Sequence, residues 1–295
     1  MNQIIECVPN FSEGRRKKII DKIMYCFMGQ NHVKLLNYSS DPDYNRCVAT
    51  VIGEPSAVKS AVLAACGVAV NCIDMNYQHG EHPRIGAADV IPFIPIKNIS
   101  MEETIHIAHQ TGRALWEQYQ VPSYFYEEAA TAPHRKNLAA IRKGGYEGLS
   151  QKTILPDWQL DYGSSPHPTA GVSAISARNF LIAFNISLDT ADMNIAQTIA
   201  QKIRASSGGL AGCKAIGVFQ KEKQRVQVSI NATDFQTTSV HKIFNTVCKE
   251  SKKLNIAVTS SELIGLVPQQ VLVDCFKDTL LLEDFDQHRI LENFL

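Results

Sequence analysis

The sequence has no surplus of charge: 29 Lys and Arg stand against 29 Asp and Glu in 295 residues. A balanced chain carries no overall field to gather nucleic acid or an anionic membrane, so neither is expected as a partner. The start, Met1-Asn2-Gln3-Ile4-Ile5-Glu6-Cys7-Val8-Pro9, lacks the basic and then apolar regions of a secretory leader. A convincing membrane span is also missing, because the Ala57–Cys72 run is short and carries Lys59. The eight cysteines (Cys7, Cys26, Cys47, Cys66, Cys72, Cys213, Cys248, Cys275) show no CxxC pairing and mostly fall in apolar, periodic segments. That is the pattern of buried thiols in a reducing compartment, and a cytoplasmic location is expected. A phosphate cradle is lacking: Ser207-Gly208-Gly209 follows a helical stretch instead of joining a strand to a helix N-terminus, and reads as a helix C-cap. A metal set lacks its third member. His79 and His82 are three residues apart, as are His106 and His109, but Gly80 and Pro83 keep the first pair off a helix and no cysteine completes it.

What the chain does have is one dense polar stretch, Gln78-His79-Gly80-Glu81-His82-Pro83-Arg84-Ile85-Gly86-Ala87-Ala88-Asp89, running into the apolar Val90-Ile91-Pro92-Phe93-Ile94-Pro95. Imidazole, guanidinium and carboxylate groups packed this closely are costly to bury and suit a loop at the mouth of a cleft. Histidine moves protons near neutral pH, so His82 is the candidate general base. Glu81 or Asp89 would orient its ring, and Arg84 would hold a carboxylate. The basic run His134, Arg135, Lys136, Arg142 and Lys143 reads as a solvated face, with a cationic mouth for a polyanionic substrate as the alternative. Trp158 and Tyr162 offer stacking surface beside a loop of small and proline residues around His167.

Periodicity organises the rest. Ile4–Val8 reads as a strand ending at Pro9, followed by the link 10–14, a helix from Arg15 to Met28 and a strand over Val33–Tyr38. After the polar loop 39–44 come a strand over Arg46–Ile52, a helix to Cys72 opened by Gly53-Glu54-Pro55, and a strand over Val90–Ile94. Ser100-Met101-Glu102-Glu103 is a capping box for a helix to Gln120, and Ser123–Tyr126 is a further strand. From Glu127 to Gly171 the pattern fades, as in a functional or crossover segment. Order returns with a strand over Phe180–Ser187, a helix over Met193–Ala205, a hairpin of Lys214–Phe219 and Arg225–Ala232 turning at Lys221-Glu222-Lys223-Gln224, a helix over Thr237–Leu254 and a strand over Ala257–Ser260. A closing helix over Pro268–Leu280 and an acidic tail from Glu283 follow. The order β-α-β-β-α-β occurs twice, so the expected fold is α+β with two ferredoxin-like (βαββαβ) lobes, 1–178 and 179–295.

Several stretches resemble one known family, the formiminotransferases in their stand-alone bacterial form. They are Glu6-Cys7-Val8-Pro9-Asn10-Phe11-Ser12-Glu13-Gly14, Asn45-Arg46, Gly80-Glu81-His82-Pro83-Arg84-Ile85-Gly86 with Asp89, His167-Pro168-Thr169-Ala170-Gly171, Phe180-Leu181-Ile182-Ala183-Phe184-Asn185 and Ile264-Gly265-Leu266-Val267-Pro268. The resemblance implies transfer of the formimino group from N-formimidoyl-L-glutamate to tetrahydrofolate, a late step of histidine breakdown. It also implies tetrahydrofolate as co-substrate without a metal, a homodimer, and folate held in a charged channel near the lobe junction. The family's catalytic histidine falls on His82. Its folate loop falls on Gly163, Ser164, Ser165, Pro166, His167, Pro168, Thr169, Ala170, Gly171 and Val172. Arg46 and Arg84 are the expected carboxylate clamps. Vertebrate members carry an acidic residue where this chain has Ser39, and Asp41 is expected to take that part, with Asp43 next nearest. Vertebrate members also continue into a cyclodeaminase domain, and since this chain stops at Leu295 it is not expected to cyclise its product. A related transferase using another donor, such as formimidoylglycine, and a non-catalytic folate-binding or regulatory protein are the other readings.

Overall fold

The computed structural model describes residues 3–220 and 223–294; the first half, Lys221-Glu222, of the turn expected at Lys221-Glu222-Lys223-Gln224 and the extreme ends of the chain lie outside them. Residues to Arg178 form one compact unit and residues from Asn179 another.

The first unit opens with β1 (Ile4–Cys7) and β2 (Asn10–Phe11), then α1 (Lys17–Tyr25), β3 (Val33–Asp41), β4 (Arg46–Gly53), α2 (Pro55–Cys72) and β5 (Ala88–Lys97). β1 and β2 form one interrupted line between β4 and β5, antiparallel to both. The sequence ends this line at Pro9, but the sheet takes it up again at Asn10. Proline lacks a donor, not an acceptor, and the Pro9 carbonyl accepts the Ala49 N–H at 3.1 Å. β3 pairs with the outer side of β4 and runs to Asp41, through what looked like loop, because Ser39, Ser40 and Asp41 stay in register with Val48, Cys47 and Arg46.

Beyond β5 the unit adds α3 (Met101–Tyr119), β6 (Ser123–Glu127), the short helices α4 (Leu138–Arg142) and α5 (Leu149–Lys152), and β7 (Ser173–Ala177). β7 inserts between β5 and β6, parallel to both. These strands are buried on both faces. Ile91, Phe93, Phe125, Ile175 and Ala177 belong to the core beneath α1–α3. Val90, Tyr124, Tyr126 and Ala174 belong to a second core closed by Ile141, Leu149 and Trp158. Residues 127–171 are therefore a cover for one sheet face as well as a crossover. Two-sided burial also explains why β7, mostly small residues around Ile175 and buried throughout without alternation, escapes a pattern search.

α2 is apolar enough over 18 residues to pass for a membrane span on length and composition. Here it packs against α1, α3, β1 and β4 and buries Val58, Val62, Ala65, Cys66 and Ala69.

The second unit runs β8 (Ile182–Leu188), α6 (Met193–Ile203), β9 (Cys213–Gln220), β10 (Arg225–Ala232), α7 (Val240–Lys253), β11 (Val258–Ile264) and α8 (Gln269–Leu280). Its sheet has the order β11-β8-β10-β9, antiparallel throughout. Ile186, Ile199, Val228 and Ile243 centre its core. The α7 helix begins later than periodicity suggests, because Ser239 caps it by accepting the Lys242 N–H at 3.2 Å. α6 stops at Ile203, and Gly208 turns the chain at φ 82°. The protein is α+β in both units.

Candidate active site

The loop between α2 and β5 is pinned mainly by polar groups from other segments. Asn45, in the left-handed region at φ 48°, donates to the His79 carbonyl at 2.9 Å, accepts the Gly14 N–H at 2.9 Å and lends its own carbonyl to Gln78. Gly80 passes so near this turn that a Cβ would stand 2.3 Å from the Tyr44 carbonyl oxygen. Further along, Asp89 accepts the Ile85 N–H through Oδ1 and pairs with Arg142 through Oδ2. The loop is thus tied down on both sides of His82.

His82 is half-buried, and its Nε2 lies 3.0 Å from Arg46 Nη1. A guanidinium only donates, so Nε2 is the acceptor and the ring proton sits on Nδ1. The same Nη1 reaches Asn10 Oδ1 at 3.4 Å, and the Tyr44 ring lies 5.7 Å from the imidazole. Burial, then the charges of Arg46 and Arg142, push the His82 pKa down to about 3. Among the described residues no carboxylate hydrogen-bonds this imidazole. Asp89 is committed to Arg142 and Ile85, Glu81 is exposed, and the Asp43 carbonyl accepts the Glu81 N–H. Asp41 accepts the Tyr44 N–H at 2.9 Å, and its charge supports that of Arg46.

Arg84 is spent on structure: Nε and Nη2 donate to Gln78, while Nη1 and Nη2 grip Glu147 at 3.0 and 2.7 Å. The basic run divides. Arg135 is buried against Asp161 at 3.0 Å and over the Tyr124 ring, whereas Arg142 and Lys143 reach the His82 side. A cavity of about 790 Å³ is lined by His82, Arg84, Arg142, Lys143, Gly80 and Glu147 among others. Arg142 is the site residue that sequence reasoning left in a solvated face. The signal that places it is its long-range pairing with buried Asp89, which no local pattern carries.

The Gly163–Val172 loop does not line that cavity. His167 and Gly171 exchange backbone bonds of 2.9 and 3.0 Å, closing a small ring of chain. Within it His167 Nδ1 accepts the Ala170 and Thr169 N–H groups, so its proton lies on Nε2, and burial lowers its pKa. The loop is stitched to the His82 loop, since Val172 donates to Ile85, Ala87 to Ala170 and Met75 to Thr169. Trp158 takes the Lys152 ammonium 3.8 Å above its ring, and Tyr162 packs edge-on against Phe125, so both rings have partners within the fold. Among the described residues no group of His, Cys, Asp and Glu is arranged to hold a metal.

The chain matches the N-terminal subdomain of the formiminotransferase domain over residues 4–178 and the formiminotransferase domain over residues 183–284. It is 43% identical to a glutamate formimidoyltransferase of Streptococcus pyogenes, over 100% of this chain and 99% of that one. A glutamate formimidoyltransferase of Thermoplasma acidophilum is 40% identical, over 98% and 96%. The formimidoyltransferase-cyclodeaminase of Sus scrofa is also 40% identical, with 98% of this chain matching 56% of that longer protein.

Proposed function

The chain belongs to the formiminotransferase family, and we propose on that premise that His82 moves the proton as it transfers a formimino group from N-formimidoyl-L-glutamate to tetrahydrofolate. The products are 5-formimidoyltetrahydrofolate and L-glutamate. N5 of the folate attacks the amidine carbon, a C–N bond forms, and the bond to the glutamate nitrogen breaks. N5 must lose a proton and the departing nitrogen must gain one. One neutral imidazole can perform both transfers in turn.

The observation that carries this reading is the His82–Arg46 contact at the edge of a cation-lined cavity. In the free chain Arg46 occupies the Nε2 lone pair and keeps the ring neutral. A donor carboxylate, attached to the same carbon as the leaving nitrogen, gives Arg46 a stronger, bidentate partner. Drawing the guanidinium away frees Nε2 and removes a charge that opposes protonation, so basicity returns when substrate is present. Asp41 supports the Arg46 charge in this scheme, and Arg84 holds the loop by way of Glu147. The small residues of Gly163–Val172 form the folate side of the site.

The βαββαβ order and the β11-β8-β10-β9 arrangement support a ferredoxin-like second lobe, with residues 1–178 as an enlarged first lobe. The free thiol state of all eight cysteines fits a reducing cytoplasm. A homodimer belongs to the same reading, with the exposed Leu272, Phe276 and Leu280 of α8 offering a stripe for a second copy.

The test is a spectroscopic transfer assay with N-formimidoyl-L-glutamate and tetrahydrofolate. We expect one 5-formimidoyltetrahydrofolate per glutamate released. No transfer by folded protein would overturn the reading.

A further inference from the structure

The donor carries a second carboxylate at the end of its side chain, and among the described residues the cavity beside His82 has one Lys or Arg without a carboxylate partner. Arg84 is closed by Glu147, and Arg142 by Asp89. Lys143 lines the same cavity, is exposed, and has no carboxylate partner among the described residues. Its backbone, by contrast, is fixed. Lys152 Nζ donates to the Ala140, Ile141 and Lys143 carbonyls at 2.6, 2.7 and 3.4 Å, gathering the end of α4. Gly144 and Gly145 then turn the chain in the left-handed region at φ 95° and 61°. A free ammonium on an anchored turn, in the wall that holds His82, is placed to meet an anion reaching past the reacting centre. Of the two exposed carboxylates in this wall, Glu147 is paired with Arg84, and among the described residues Glu81 accepts from none of the cavity's cations.

We propose that Lys143 binds the side-chain carboxylate of the donor and selects a glutamate-derived donor over a glycine-derived one. The proposal rests on the assignment of the His82 cavity as the transfer site. Arg46 answers the carboxylate next to the leaving nitrogen, which every amino-acid donor has. Lys143 answers the one that glycine lacks.

The experiment compares N-formimidoyl-L-glutamate with N-formimidoylglycine at saturating tetrahydrofolate, in the wild type, Lys143→Met and Lys143→Arg. Loss of one charge-assisted contact should raise KM for the glutamate donor about 10- to 100-fold in Lys143→Met. Values of kcat/KM for the glycine donor and of KM for tetrahydrofolate should shift by no more than about twofold. Lys143→Arg should recover most of the loss. Competitive inhibition by L-glutamate should weaken by the same factor, a readout that holds even where wild-type turnover of the glycine donor is low. An unchanged preference between donors together with unchanged L-glutamate inhibition in Lys143→Met would overturn the assignment, as would equal losses with both donors. A wild type that transfers from neither donor would instead remove the functional reading, and this assignment with it.

Discussion

At His82 the imidazole accepts from Arg46 and lies within reach of the Arg142 charge, so protonation is opposed first by burial and then by two cations. The folded pKa, about 3, lies below the ordinary histidine value of 6.5. Between those limits the unfolded chain takes up a proton that the folded chain refuses. This residue therefore costs stability as pH falls from 6.5 toward 3, and costs nothing above that window. The imidazole nitrogens of the free protein, followed by NMR, should still report neutral His82 at pH 5, and Arg46→Met should move the midpoint up toward 6.5. A wild-type midpoint near 6.5 would show that neither burial nor the arginines hold the ring neutral. The sequence marks His82 because loop chemistry is concentrated around it. It cannot show which partner holds the ring: Asp89 sits nearby in sequence yet spends its oxygens on Ile85 and Arg142, while Arg46 arrives from another strand.

Among the elements, α2, α3 and the hairpin of the second unit follow their periodicity closely, because each buries an apolar face within its own unit. β7 and the helices α4 and α5 do not, since their form depends on covering a sheet face that other segments build. The Gly163–Val172 loop shows the same dependence. Gly171 sits at φ 70°, and a Cβ there would stand 2.2 Å from the Ile85 carbonyl oxygen. A side chain at this point strains the backbone before it meets any ligand. Gly171→Val should therefore cost about 1–3 kcal/mol of stability, read from denaturant unfolding. Ser165 is exposed and free of that constraint, so Ser165→Trp should leave stability unchanged while raising KM for tetrahydrofolate. Normal folate KM in Ser165→Trp would place the folate contact outside this part of the loop. Normal stability in Gly171→Val would contradict the close approach.

On the scale of the whole molecule, the repeated β-α-β-β-α-β order was legible, and the residues to Arg178 and from Asn179 form separate compact units. What the repeat conceals is asymmetry. The first unit extends its sheet with β7 and β6 and wraps residues 127–171 over it, and from that wrapping come Arg142 and Lys143 beside His82. The proposed site thus lies in the unit that departs from the repeat, and the central claim is that its His82 carries the proton. The most direct test is His82→Ala, assayed for transfer and, in the same preparation, for stabilisation by folate. We predict that kcat falls by about 10²–10⁴. At a hundredfold excess over Kd, folate should still stabilise the variant by about 2.7 kcal/mol, as it does the wild type. A folded variant that binds folate and turns over at a near-normal kcat would contradict the account.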